Sequence, residues 1–173
     1  STFGDEIFVQ FAENRPEWCI ADLAVLAAGG ITVPAYTTNT EQDHDYILNP
    51  AEATMVVCSG GNLAKRLIPA VKNAPSVKKL LFIEPLAETS GLPVLAISWD
   101  DALALGDRSP SVSRAEQIGP DDVACFIYTS GTGGAPKGVM LSHRNIISNL
   151  EGAYELVKKL GLGDRERFLS FLP

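Results

Sequence analysis

A chain of 173 residues, 46% hydrophobic and 20% charged, has room for one domain with a real core and is short for two. The net charge of −7 argues against non-specific nucleic-acid binding, which leans on a basic surface. No apolar run approaches the length of a membrane span, and the acidic start, Ser-Thr-Phe-Gly-Asp-Glu6, lacks the basic and apolar regions of a signal peptide. The missing initiating Met points to an internal piece of a longer chain. A cytoplasmic location is expected, with peripheral membrane contact left open.

The elements follow in order. Glu6–Ala12 is a strand rich in β-formers, and Asn14 or Arg15 caps a helix with Pro16 in its first turn. Trp18, Leu23, Leu26 and Ala27 supply its helical spacing, and Gly29-Gly30 stops it. Ile31–Ala35 reads as a short strand, Glu41–Leu48 as a helix ended before Pro50, Ala53–Cys58 as a strand, and Leu63–Lys72 as a helix presenting Leu67, Ala70 and Val71. Lys79–Ile83 is the next strand. An excursion from Glu84 to Pro93 then leads to a short helix around Trp99–Leu105. The polar stretch Gly106–Pro120 reads as a surface crossover. Asp122–Tyr128 and Gly138–Leu141 are strands flanking a loop, and Ser142 is placed to cap a long helix with Ile146, Leu150, Ala153, Val157 and Leu160 on one stripe, ended by Gly161. Arg167–Leu172 is a last strand.

Strands alternating with helices predict an α/β fold, a mostly parallel sheet flanked by helices. The organisation expected is repeating β-α units over 1–105, a crossover over 106–120, and a phosphate-binding loop, helix and following strand over 121–173. In such sheets ligands bind beyond the carboxyl ends of the strands, where Thr129–Lys137 would lie. The Trp18 and Ile146 helix faces are read as core.

Cys19, Cys58 and Cys125 are odd in number, widely spaced and set in apolar segments, which predicts buried free thiols in a reducing compartment. Neither His44 nor His143 sits at zinc-ligand spacing from them. Charge is uneven: 1–136 hold 8 basic and 17 acidic side chains, against 6 and 4 in 137–173. The change of balance begins at Lys137, which suits an anionic ligand there and equally suits a solvated surface.

The chemistry is concentrated in Tyr128–Gly138, Y-T-S-G-T-G-G-A-P-K-G, with three glycines before the proline and one after it, three Ser and Thr hydroxyls, one lysine and no carboxylate. Successive backbone N–H groups in such a turn form an anion-binding concavity that hydroxyls and a lysine complete, and phosphate is the expected guest. The stretch is not a Walker loop, because from Gly131 it offers Pro136 and Gly138 where that motif needs Gly and Ser or Thr. A dinucleotide fingerprint fails at Pro136 as well. An ordinary Gly-rich hairpin with a surface lysine is the plain alternative.

T-S-G-T-x-G-x-P-K-G-V-M-L-S-H, from Thr129 to His143, resembles the phosphate-binding signature of the adenylate-forming (AMP-binding) superfamily. Gly133 departs from it, standing where the family usually carries Ser or Thr. Glu13-Asn-Arg-Pro-Glu-Trp18, Val33-Pro-Ala-Tyr36 and Tyr46-Ile-Leu-Asn49 are similar to the opening of long-chain fatty acyl-CoA synthetases, and Phe168–Pro173 resembles a later strand of that group. The resemblance implies ATP and Mg²⁺ as cofactors and coenzyme A and a fatty acid as small-molecule substrates, with no nucleic-acid partner. It implies that Thr129, Ser130, Gly131, Thr132, Gly133, Gly134 and Lys137 hold the nucleotide phosphates. Lys137 would be the catalytic charge, and the Thr129 hydroxyl would approach the metal. His143 and Arg144 are expected to be structural. The family's adenine, ribose, acyl and lid segments come later, so the piece is expected not to turn over alone. Alternatives are an adenylation domain loading an amino or aryl acid onto a carrier protein, and a nucleotide-binding module without a reaction.

Overall fold

The structure, a computed structural model, describes residues 6–86, 91–109, 114–129 and 136–159. Among the described residues seven strands form one sheet: β1 (Ile7–Phe11), β2 (Ile31–Pro34), β3 (Met55–Cys58), β4 (Lys79–Phe82), β5 (Leu95–Ser98), β6 (Val123–Thr129) and β7 (Lys137–Ser142), in the order β5-β4-β3-β1-β2-β6-β7. All neighbours are parallel except β6 and β7, which form an antiparallel hairpin. The expected mostly parallel α/β architecture is therefore present.

Five helices accompany the sheet among the described residues: α1 (Pro16–Ala27), α2 (Glu41–Leu48), α3 (Gly61–Asn73), α4 (Trp99–Asp107) and α5 (His143–Lys159). Side chains alternate across each strand. Val9 and Phe11 of β1, Val56 and Cys58 of β3 and Leu80 of β4 meet Ile47 and Leu48 of α2 and Leu63, Leu67 and Val71 of α3 in the main core. Val57 and Leu81, on the other face, pack with Ala21 of α1 and with Trp99 and Ala102 of α4. Phe11, Leu48, Leu67 and Leu80 are fully buried. Each contributes roughly 1.5–3 kcal/mol of transfer free energy.

Local chemistry sets several boundaries. Pro16 sits in the first turn of α1, where a missing N–H costs nothing. Thr40 and Asp43 form a reciprocal capping box at the start of α2: the Asp43 N–H donates to Thr40 Oγ1 over 3.3 Å, and the Thr40 N–H donates to Asp43 Oδ2 over 2.8 Å. That hydrogen bonding holds the Asp43 carboxyl below the usual carboxylate range.

Four expectations need correction. The excursion after β4 contains a further strand, β5, parallel to β4 in the register Lys79↔Leu95 to Phe82↔Ser98. It is four residues long, lies at the sheet edge and buries no residue fully, so its hydrophobic signal is weak. In α1 the buried residues are Ala21 and Val25, whereas Leu23 is 66% exposed. The helix is apolar nearly all round, and a stripe cannot be read from such a sequence. Cys19 is exposed on it, unlike Cys58 and Cys125, which are buried free thiols. Burial pushes the Cys58 thiol up to about 12 and raises Cys125 as well, so neither is a nucleophile at neutral pH. The stripe of α5 is not core among the described residues, since Leu150 is 62% exposed and no residue of the helix is buried. Its expected end at Gly161 and the strand Arg167–Leu172 lie outside the described residues.

His44 is fully buried under Phe11, edge-to-face with ring centroids 4.2 Å apart, and neither ring nitrogen has a hydrogen-bond partner. Burial, with help from the Arg66 charge and against Asp43, pushes the imidazole down to about 4. The unfolded chain takes up this proton near pH 6.5 and the native one does not. The neutral histidine's stability is therefore complete above pH 6.5 and is lost as pH falls towards 4. Acidification from pH 7 to 4 should cost about 3 kcal/mol through this residue alone. Urea denaturation of wild type and His44→Leu at both pH values checks it: the leucine variant should lose that much less stability on acidification, and parallel losses would refute the assignment.

Candidate functional site

A parallel sheet offers binding crevices where neighbouring strands are reached by the chain from opposite directions. Two such places exist here, at the carboxyl ends of β1/β3 and of β2/β6. They differ in what fills them. Beyond β1 and β3 the Ser59 hydroxyl donates to Glu13 Oε2, while Arg15 donates to Glu84 Oε1 over 2.7 Å and to Glu17 Oε2 over 2.9 Å. These contacts hold the Arg15 guanidinium further up and the Glu17 carboxyl down. The stretch Glu13-Asn-Arg-Pro-Glu-Trp18 is thus a strap tying the ends of β1, β3 and β4, and that crevice is closed by its own ion pairs.

The β2/β6 end is open. A cavity of about 500 Å³ is lined by Pro34, Ala35, Tyr36, Asn39, Asp43, Ile47, Tyr128, Thr129 and Pro136. A second, of about 230 Å³, shares Pro34, Ala35, Tyr36 and Tyr128 with it and is closed by Ala12, Trp18, Thr37 and Ile127. β2 ends at Pro34, which has no N–H to donate; the Ala35 N–H makes one more bond to the Gln10 carbonyl over 2.8 Å, and the chain leaves through Tyr36 towards the α2 cap.

Of the residues singled out from sequence, Thr129 ends β6 and Lys137 begins β7, directly opposite one another in the hairpin register, and both are exposed. Ser130, Gly131, Thr132, Gly133 and Gly134 lie outside the described residues. The described residues nearest them on either side in sequence, Thr129 and Pro136, are both part of the wall of the larger of the two cavities. Burial raises the Tyr128 phenol, with a further push from Tyr46, so the ring is neutral at physiological pH.

The hairpin is fixed at its other end. Asn145 N–H donates to Ser142 Oγ over 3.3 Å and Ser142 N–H to Asn145 Oδ1 over 2.9 Å, which is the expected cap of α5. Arg144 grips Asp121 through two parallel bonds of 2.7 and 3.0 Å, and the His143 N–H donates to the Asp122 carbonyl over 3.1 Å. Both residues tie the start of α5 to the turn before β6, a structural role.

Among the described residues no group of three or more His, Cys, Asp or Glu side chains could hold a metal ion. Mg²⁺ asks for less than that, because it keeps several waters and takes few protein oxygens beside those of a phosphate. The wall of the larger cavity offers such an ion oxygen donors, the Thr129 hydroxyl and the Asp43 carboxylate, of which Asp43 Oδ2 already accepts from Thr40.

Sequence reasoning missed Asn39 and Asp43 and assigned no role to Trp18 or Tyr36 within the site. The only available signal was the polar run Thr37–Asp45 after Val33-Pro-Ala-Tyr36, which becomes informative once β2 is known to lie beside β6.

Comparison with known proteins bears on the family and the fold. Residues 4–173 match the family of AMP-binding enzymes. The chain is similar to long-chain-fatty-acid–CoA ligase 5 of Rattus norvegicus, 33% identical over 98% of this chain and 26% of the relative. It is similar also to fatty acyl-CoA synthetase A of Dictyostelium discoideum, 30% identical over 98% of this chain and 25% of the relative. The adenylation domain of a carboxylic acid reductase from Segniliparus rugosus, solved with AMP and a co-purified carboxylic acid, shares the fold with a TM-score of 0.71 at 22% identity, covering 83% of this chain and 25% of that one. The chain spans about a quarter of the length of the curated relatives it matches.

Proposed function

The chain belongs to the family of AMP-binding, adenylate-forming enzymes, and on that premise we propose that it supplies the pyrophosphate grip of an ATP-dependent fatty acyl-CoA ligase. The observation that carries the proposal is the β6–β7 hairpin, which puts Thr129 opposite Lys137 beside the open cavity at the β2/β6 strand ends. In the reaction a carboxylate attacks the α-phosphorus of ATP, forming an acyl–phosphate bond and expelling pyrophosphate. A thiol of coenzyme A then displaces AMP to give a thioester.

The first step brings two anions together and releases a polyanion, so positioning and charge neutralisation are what the protein must provide. Backbone N–H groups and hydroxyls of Ser130–Gly134 would wrap the β- and γ-phosphates, and Lys137 would add a point charge at the hairpin mouth. Pro136 stiffens the approach to Lys137. A magnesium ion, when bound, neutralises charge on the phosphate oxygens, with Thr129 as one of its few protein contacts. The proposed division is repeating β-α units over 1–105, a crossover over 106–120 and the phosphate-binding part over 121–173, with a cytoplasmic location; among the described residues no helix is long and apolar enough to cross a membrane.

Calorimetric titration with magnesium pyrophosphate and MgATP tests the grip directly. Saturable binding that Lys137→Ala weakens is the expected outcome, and no binding of either ligand would refute it for this chain. Fatty-acid-dependent pyrophosphate release is expected from the parent enzyme and not from these 173 residues alone. A parent that activates amino or aryl acids and transfers them to a carrier protein would replace the fatty acyl assignment while leaving the grip intact.

A further inference from the structure

We propose that Tyr128 and Gly138 form a cross-strand positioning pair that sets where Thr129 and Lys137 stand at the mouth of the nucleotide site; the proposal rests on the nucleotide-binding role given above. Tyr128 lies directly opposite Gly138 in the β6–β7 ladder, and the next pair towards the loop is Thr129 with Lys137. Glycine inside a strand weakens it, so its presence at 138 needs a reason. Conformation is not that reason, since Gly138 is not among the residues with positive φ. Space is. A Cβ at 138 would stand 3.3 Å from Cζ of Tyr128 and 3.6 Å from Cε1 and Cε2, so the tyrosine ring lies across the bare glycine Cα.

The same residue takes part in the binding crevice. Tyr128 lines both the 500 Å³ and the 230 Å³ cavities together with Pro34, Ala35 and Tyr36. A bare Cβ at 138 asks the ring to give by a few tenths of an ångström and a branched side chain asks for more, so the ring that lines the cavities is the group that must shift. Tyr128 is bonded to Thr129 and Gly138 to Lys137, so a displaced pair carries both neighbours with it. Tyr128 and Gly138 act through those neighbours and need not touch the nucleotide. The glycine that closes the loop sequence thus serves the tyrosine that opens it.

A double-mutant cycle decides it, using Gly138→Val and Tyr128→Leu singly and together. The measurements are affinity for magnesium pyrophosphate, the thermal midpoint, and the backbone amide resonances of Thr129 and Lys137. Gly138→Val should weaken binding about tenfold, the scale of an overpacked contact. The thermal midpoint should fall by only a few degrees, because the strand preference of valine offsets part of the overpacking. In the Tyr128→Leu background the same valine should cost less than about twofold, since the ring it displaces is gone. The Thr129 and Lys137 amides should shift in Gly138→Val and return towards their Tyr128→Leu positions in the double variant. Additive losses in the cycle, or unmoved amides in Gly138→Val, would overturn the pair. Failure of the unsubstituted chain to bind pyrophosphate would remove the functional premise instead, and the amide shifts would still decide whether the two residues are coupled.

Discussion

Replacing Lys137 with alanine in the full-length enzyme should slow adenylate formation by about 10²- to 10³-fold, the scale seen when one preorganised charge-stabilising group is removed from a reacting centre. The size follows from what the residue does and does not touch. Lys137 is the first residue of β7, exposed and opposite Thr129, and no ion pair to a carboxylate is found for it among the described residues. Its charge is therefore free to face a polyanion, and its removal leaves the sheet intact. Stability should be unchanged, and a supplied acyl-adenylate should still be converted to the thioester with much smaller loss. Rapid-quench measurement of the two half-reactions separates these outcomes; equal losses in both would mean the lysine does not serve the pyrophosphate. Lys137→Arg keeps the charge but presents it as a planar fork, so partial recovery is the expected result there.

The second large effect concerns the frame. Gly60→Ala should destabilise the chain by about 4 kcal/mol, the sum of backbone strain and a hard contact. Gly60 leads into α3 with φ +119° and ψ −161°, a region that side-chain-bearing residues avoid. A Cβ there would lie 2.8 Å from the Glu84 carbonyl oxygen and 2.9 Å from Glu84 Cβ. The obstacle cannot swing away, because the Glu84 N–H donates to the Ser59 carbonyl over 2.7 Å and its carboxylate holds Arg15. Gly61 is the internal control. It has φ +53° and nothing within 4 Å of a built Cβ, so Gly61→Ala should cost only about 1 kcal/mol. Urea denaturation of both variants tests the difference, and equal costs would show that the Glu84 contact is soft.

Sequence carried most of the framework where a local device marks a boundary. Helix α2 was read to the residue, Glu41–Leu48, with Pro50 marking its end and the Thr40–Asp43 box found at its start, and the apolar run in Lys79–Ile83 declared β4, Lys79–Phe82. It failed where the decisive contact is distant. β5 becomes a strand by pairing with β4, and α1 hides its buried face because nearly every face is apolar. The site divides in the same way. Thr129 and Lys137 belong to one ordered stretch and could be read together, whereas Tyr36, Asn39 and Asp43 join them only through the β2–β6 pairing. Gly138 was visible as a motif residue, but the ring it makes room for required the hairpin register.

That β2–β6 pairing has a kinetic meaning. Strands β1 to β5 are added to the sheet by short, successive crossovers, and β6–β7 is a local hairpin that can form by itself. Thr32 meets Cys125 only when the two parts dock, closing a loop that holds every β-α unit between them. Such non-local closure is slow, because the entropy of the intervening chain is spent before the contact gives anything back. The cavity walls from β2 and β6 do not exist before that moment. A chain halted earlier in folding would own both the lysine and the rest of the scaffold, yet lack the cavity between β2 and β6.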